Sequence, residues 1–155
     1  MRRIAFAALA AFIAGAGALA IAQQAQHTPQ EQANIKAVLA LYEKALNQHD
    51  FEGAAQHLGP RYIQHNPFAE DGAEGLRKFI EWRKQKLPQS KSFIKRAFAD
   101  GDYVILHVHS VREPGTRGVA IVDIYRMENG KVVEHWDVIQ EVPEESKVKN
   151  SNGMF

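Results

Sequence analysis

The sequence predicts an α+β domain: a cone-shaped, curved, mostly antiparallel sheet with three N-terminal-side helices packed on its concave face. Three observations predict it. Apolar residues between positions 35 and 87 recur at helical spacing, whereas residues 93–142 hold four short runs rich in β-branched and aromatic residues. Turn sequences separate those runs, and short connections make consecutive strands antiparallel neighbours. Helices followed by a meander give a sheet covered on one face. Strong twist would turn the assembly into a cone with a closed apolar end and an open mouth, a place for a small molecule.

Residues 1–22 read as an export signal. Arg2 and Arg3 precede an uncharged Ala/Leu/Ile-rich run, and Ala20-Ile21-Ala22 has the small-x-small form of a cleavage site. The alternative is an uncleaved anchor, since the run is just long enough to reach across a bilayer. Either reading places the domain in the periplasm or outside the cell. Removing these 22 residues from 155 leaves 133, enough for one core, and takes the formal charge from +1 to −1. A near-neutral domain without a basic run has no electrostatic basis for binding nucleic acid. With no cysteine, disulfides, thiol nucleophiles and Cys-ligated metals are excluded.

The domain is expected over residues 23–143. Thr28-Pro29-Gln30-Glu31 fits a capping box, and Ile35, Val38, Leu39, Tyr42, Ala45 and Leu46 form the buried stripe of the first helix. Asp50 can cap a shorter helix reaching Leu58, with Gly59-Pro60 as its stop. An extended piece, Tyr62-Ile63-Gln64-His65-Asn66-Pro67, follows. A third helix spans about 73–87, with Leu76, Phe79, Ile80, Arg83 and Leu87 inward, and Pro88 ends it. Strands are expected at 93–99, 103–111, 119–127 and 132–142. Residues 144–155 read as a flexible tail.

Ionisable residues inside apolar strands carry the functional information. The two-residue period puts His107 with His109, Asp123 with Tyr125, and His135 with Asp137. The turn after the third strand decides how these pairs combine. A three-residue loop, Glu128-Asn129-Gly130, would set Asp123 opposite His135, and a two-residue Asn129-Gly130 loop would set it opposite Trp136. Each residue also has a plainer role. His107 and His109 can face solvent, Asp123 can be a buried structural acceptor, and Trp136 suits core or an interface. Tyr62 and Asn66 can simply hold the turn at Pro67, and His27, His49 and His57 are expected at the surface.

Gly130-Lys131-Val132-Val133-Glu134-His135-Trp136-Asp137 resembles the SnoaL-like polyketide cyclases of the nuclear-transport-factor-2-like superfamily. The segments Tyr62-Ile63-Gln64-His65-Asn66-Pro67 and Val122-Asp123-Ile124-Tyr125-Arg126 extend the match over nearly all of residues 23–143. The resemblance implies a cone fold, a metal-free pocket without cofactor, and a homodimer formed through the sheet. It assigns the catalytic acid/base to Asp137 and its partner histidine to His135. Asp123 takes a facing position that is histidine in some cyclases. Tyr62, His65 and Asn66 fall at the pocket mouth, and His107, His109 and Tyr125 join them as substrate-contacting candidates. The expected activity is acid/base chemistry on a carbonyl compound, of aldol-cyclase or isomerase type. The alternative is a periplasmic module that binds a small apolar ligand without turnover. A metal site from His107, His109, His135 and Asp137 is a third arrangement, because His-x-His on a strand sets two imidazoles side by side.

Overall fold

The computed structural model describes residues 27–155; the expected signal at 1–22 lies outside them. Helix α1 (Pro29–Tyr42) starts with the predicted capping box, in which the Glu31 amide donates to Thr28 Oγ1 and the Thr28 amide to Glu31 Oε2. Glu31 Oε1 also accepts from the Gly101 amide, so the cap ties the helix to a hairpin turn. A π-helical turn (Glu43–Asn47) continues the helix, and its Asn47 side chain both donates to Ser92 O and accepts from Ser92 N.

Helix α2 (Phe51–Ala55) is shorter than the sequence predicts. Gly59 and Pro60, read as its stop, instead lie within strand β1 (Leu58–Gln64). A proline fits there because β1 is an edge strand and the missing N–H can face away from its neighbour. Helix α3 (Gly72–Lys86) follows and buries Leu76, Ile80 and Arg83. Asp71 precedes it but caps nothing, because its carboxylate accepts from the Gln64 amide at 2.7 Å.

Strands β2 (Lys91–Asp100), β3 (Tyr103–Val111), β4 (Val119–Glu128) and β5 (Lys131–Glu141) form the predicted antiparallel meander. The extended piece adds a fifth strand, giving the order β1-β5-β4-β3-β2 with β1 parallel to β5. The curved sheet remains open. Val38, Leu41, Tyr42 and Ala45 pack with Leu76 and Ile80 against Val104, Leu106, Val108, Tyr125 and Met127 on its concave face.

The β4–β5 hairpin differs from both predicted registers. Asn129 (φ 51°) and Gly130 (φ 72°) make the two-residue left-handed turn, with Glu128 opposite Lys131. Met127 then faces Val132 while Arg126 faces Glu134, which leaves Val133 as one extra residue. This bulge shifts the ladder by one position, so that Asp123 lies opposite Asp137 and Tyr125 opposite His135. Val132 and Val133 are both fully buried, which explains why the bulge is tolerated in a well-packed strand.

Residues 144–155 run back along the outer face of the sheet. A 3-10 turn (Glu145–Lys147) leads to Phe155, whose ring stacks on His109 at 4.4 Å and lies 5.5 Å from His107. No helix among the described residues is long and apolar enough to cross a membrane.

Candidate functional site

The shifted register gathers Asp123, His135 and Asp137 on the concave face. His135 Nε2 lies 3.0 Å from Asp123 Oδ1, and each of the three residues offers a ligand-type atom within 4.8 Å of the others. Tyr125 stacks on the His135 ring at 4.6 Å and Tyr62 lies at 6.5 Å. Tyr62, Tyr125, Asp123 and His135 are buried, whereas Asp137 is half-buried and forms the cluster's outer member.

Parallel pairing of β1 with β5 sets Gln64 level with His135 and brings its side chain onto the ring. Gln64 Oε1 lies 2.9 Å from His135 Nδ1 and accepts from the Asn66 amide at 3.0 Å. A backbone N–H only donates, so the side-chain atom it meets is oxygen, and His135 Nδ1 must carry a proton. That leaves His135 Nε2 and Asp123 Oδ1 to share one further proton, whichever atom holds it. The pair is thereby neutral as a unit.

Asn66 completes the arrangement. Its Nδ2 donates to both oxygens of Asp137 at 2.8 Å, and its Oδ1 accepts from the Phe68 amide. The amide therefore orients the half-buried carboxylate. Asp123 Oδ2 is buried without a partner among the described residues. Leaving such an acceptor unpaired costs about 1–3 kcal/mol, and buried, strained polarity of this kind concentrates at functional sites. Burial pushes the Asp123 carboxyl above the usual carboxylate range; the hydrogen bond from His135 opposes the rise, and Asp137 adds to it. Tyr42, Tyr62 and Tyr125 are also raised, chiefly by burial.

The other candidates are placed elsewhere. His107 and His109 alternate with the buried Val104, Leu106, Val108 and Ser110, so they face the opposite side of the sheet. His107 Nδ1 meets Arg96 Nη1, and His109 Nε2 meets the Arg117 carbonyl. The strand period that pairs the two histidines also separates them from Asp123, and the four-residue metal set built on them is not assembled. The residues positioned to hold a cation together are Asp123, His135 and Asp137. His65 also leaves the cluster, bonding Glu134 at 2.8 Å and stacking flat on Trp136 at 4.4 Å.

Two surface hollows flank the sheet rather than the cluster. One of about 530 Å³ lies beside Gln30, Asp102 and Asn129, and one of about 280 Å³ beside His107, Val122, Val138 and Met154. Tyr42, Tyr62 and Tyr125 are buried in the core, and the latter two lie against the His135 ring.

Gln64 is a site residue that the sequence signals only by its two-residue spacing from Tyr62 and Asn66. His49, expected at the surface, has a buried Nε2.

An open curved sheet holding helices in its hollow is a nuclear-transport-factor-2-like fold. The chain belongs to the SnoaL-like domain family, whose profile matches residues 38–135. Solved structures agree on the fold. A protein described as a SnoaL-like polyketide cyclase from Jannaschia sp. CCS1 is 18% identical, with 74% of this chain and 90% of that one covered and a TM-score of 0.61. TsrD from Streptomyces laurentii is 22% identical over 70% of this chain and 89% of its own, with a TM-score of 0.60. AclR from Streptomyces galilaeus, described as a hydroxylase, is 23% identical over 73% and 82%, with a TM-score of 0.59. A sequence comparison with curated proteins finds no match.

Asp123 makes stability depend on pH. Its folded pKa lies above the unfolded value, so its stabilising contribution is complete below about pH 3.8 and is lost as pH rises through the folded value. Asp123→Asn removes that loss. Urea unfolding at a series of pH values should show a shallower decline from pH 4 upward in the variant, and parallel curves would contradict a raised carboxyl.

Proposed function

We propose that the protein catalyses cofactor-independent proton transfer on a small carbonyl compound, in a step of aldol-cyclase or isomerase type. The observation that carries the reading is the row across β4 and β5: a half-buried carboxylate, Asp137, directly opposite a fully buried one, Asp123. Two carboxyl groups in such different surroundings divide into base and acid. Asp137, oriented by Asn66, takes a proton from the carbon beside the carbonyl, and the C–H electrons pass into the enolate. Asp123, which burial favours keeping protonated, delivers to the enolate oxygen the one proton it shares with His135 Nε2. His135 acts through Asp123, since its two ring nitrogens already meet Gln64 and Asp123. Tyr62 and Tyr125 supply walls.

That saturation of His135 favours one alternative, binding of a small apolar ligand without turnover. Exchange separates the two readings without knowledge of the natural substrate. In D2O, the protein should speed deuterium uptake beside the carbonyl of at least one member of a panel of cyclic and aryl ketones. Asp137→Asn should slow that uptake by about 10²–10⁴-fold with an unchanged circular dichroism spectrum. An equally active Asp137→Asn protein would sink the catalytic reading, and ligand retention without exchange would favour binding.

Export and assembly are part of the same proposal. Residues 1–22 carry the chain into the periplasm, and intact mass of the fractionated protein should begin after Ala22. The outer sheet face supports a homodimer, because Val122 and the 70% exposed Val138 lie there, on the side away from the helices. Sedimentation should give a dimer that Val138→Lys converts to a monomer.

A further inference from the structure

Asp123, His135 and Asp137 each offer one oxygen or nitrogen atom of the kind that ligates metals, and these atoms lie within 4.8 Å of one another. Ligands held about 2.0–2.2 Å from a tetrahedral zinc ion stand roughly 3.3–3.6 Å apart. His135 Nε2 and Asp123 Oδ1 are near that spacing already, at 3.0 Å. Asp137 is the half-buried outer member, so a small rotation of its side chain brings its oxygen into the same range. An ion there would replace the hydrogen bond between two of its ligands. The space it needs lies between the ligands themselves.

Three further contacts prepare the same atoms for a cation. Asp123 Oδ2 is buried without a partner among the described residues, so its carboxylate has acceptor capacity that no protein donor uses. His135 Nδ1 holds its proton toward Gln64 Oε1 at 2.9 Å, which leaves Nε2 as the nitrogen able to offer a lone pair. Metal-ligating histidines characteristically donate their other N–H in this way, which fixes both tautomer and ring orientation. Asn66 Nδ2 lies 2.8 Å from both oxygens of Asp137. A carboxylate has about four lone-pair sites, so those turned away from Asn66 stay free.

We propose that Asp123, His135 and Asp137 form a site for one divalent transition cation of the zinc class, oriented by Gln64 and Asn66. Two carboxylates and a neutral imidazole balance a doubly charged ion, so the loaded cluster buries no net charge. The mixed nitrogen and oxygen set selects the class. Calcium takes six to eight oxygens and magnesium keeps several of its waters, whereas imidazole with carboxylate suits zinc. On loading, His135 Nδ1 keeps its proton, and the proton shared by Nε2 and Asp123 passes to the buffer. The inference does not rest on the proton-transfer reading, because the cation takes the place of the proton that reading uses.

The test is calorimetric titration of the full chain with zinc chloride, repeated in two buffers of different ionisation heat. It should show one saturable site that releases about one proton per ion, and zinc should raise the thermal unfolding midpoint. Magnesium chloride and calcium chloride should leave both readouts unchanged. Asp137→Asn should weaken zinc binding by more than about a hundredfold, and Gln64→Leu by about 10–100-fold. Both positions are only partly buried, and either variant alone carries the test if the other fails to fold. No uptake of zinc, or uptake that both variants leave unchanged, would overturn the site. An equal response to magnesium or calcium would overturn its assignment to a transition cation. A protein that takes no zinc yet exchanges deuterium would sink this site and leave the proton-transfer reading standing.

Discussion

One extra residue in β5 organises the inner face. Side chains along a strand alternate, so a slip of one position would send Asp123 to face Trp136 and split the cluster. The bulge at Val133 absorbs that slip after the tight Asn129-Gly130 turn and realigns the ladder with Asp123 across from Asp137. The Asp123–His135 contact and the stacking of Tyr125 on His135 follow from this register. The two valines at the bulge are sealed in the core, so the packing that holds the fold also holds the alignment.

Direction of hydrogen bonding then narrows the chemistry. The Asn66 amide fixes the Gln64 side chain, Gln64 fixes the proton on His135 Nδ1, and the remaining proton is confined to the His135–Asp123 contact. A backbone segment just beyond β1 thus sets the protonation of a residue on β5. The same segment supplies Asn66 Nδ2 to Asp137, so one short stretch of chain disciplines both ends of the cluster.

Much of the fold was legible because its signals are local. The Thr28 capping box, the end of α3 near Pro88 and the meander were read from spacing and turn residues alone. What escaped was non-local. Gly59-Pro60 reads as a helix stop until β5 offers β1 a neighbour, and a bulge at Val133 has no signature in Lys131-Val132-Val133-Glu134. Asp123, His135 and Asp137 were legible as ionisable groups in apolar strands. The distribution of His107 and His109 was not, because period two shows which residues share a face but not which face is buried. Phe155 pairs with those histidines from far along the chain, a contact invisible to any local pattern.

The Asn47 side chain bonds both the N–H and the C=O of Ser92, imitating one step of a sixth strand against the outer rim of β2. The opposite rim carries Pro60, which lacks a donor of its own. Lateral growth of the sheet by strand addition is therefore obstructed at both borders. Copies of this chain that meet have the broad faces left to use, and a polymer built rim to rim is selected against by two residues on distant parts of the sequence.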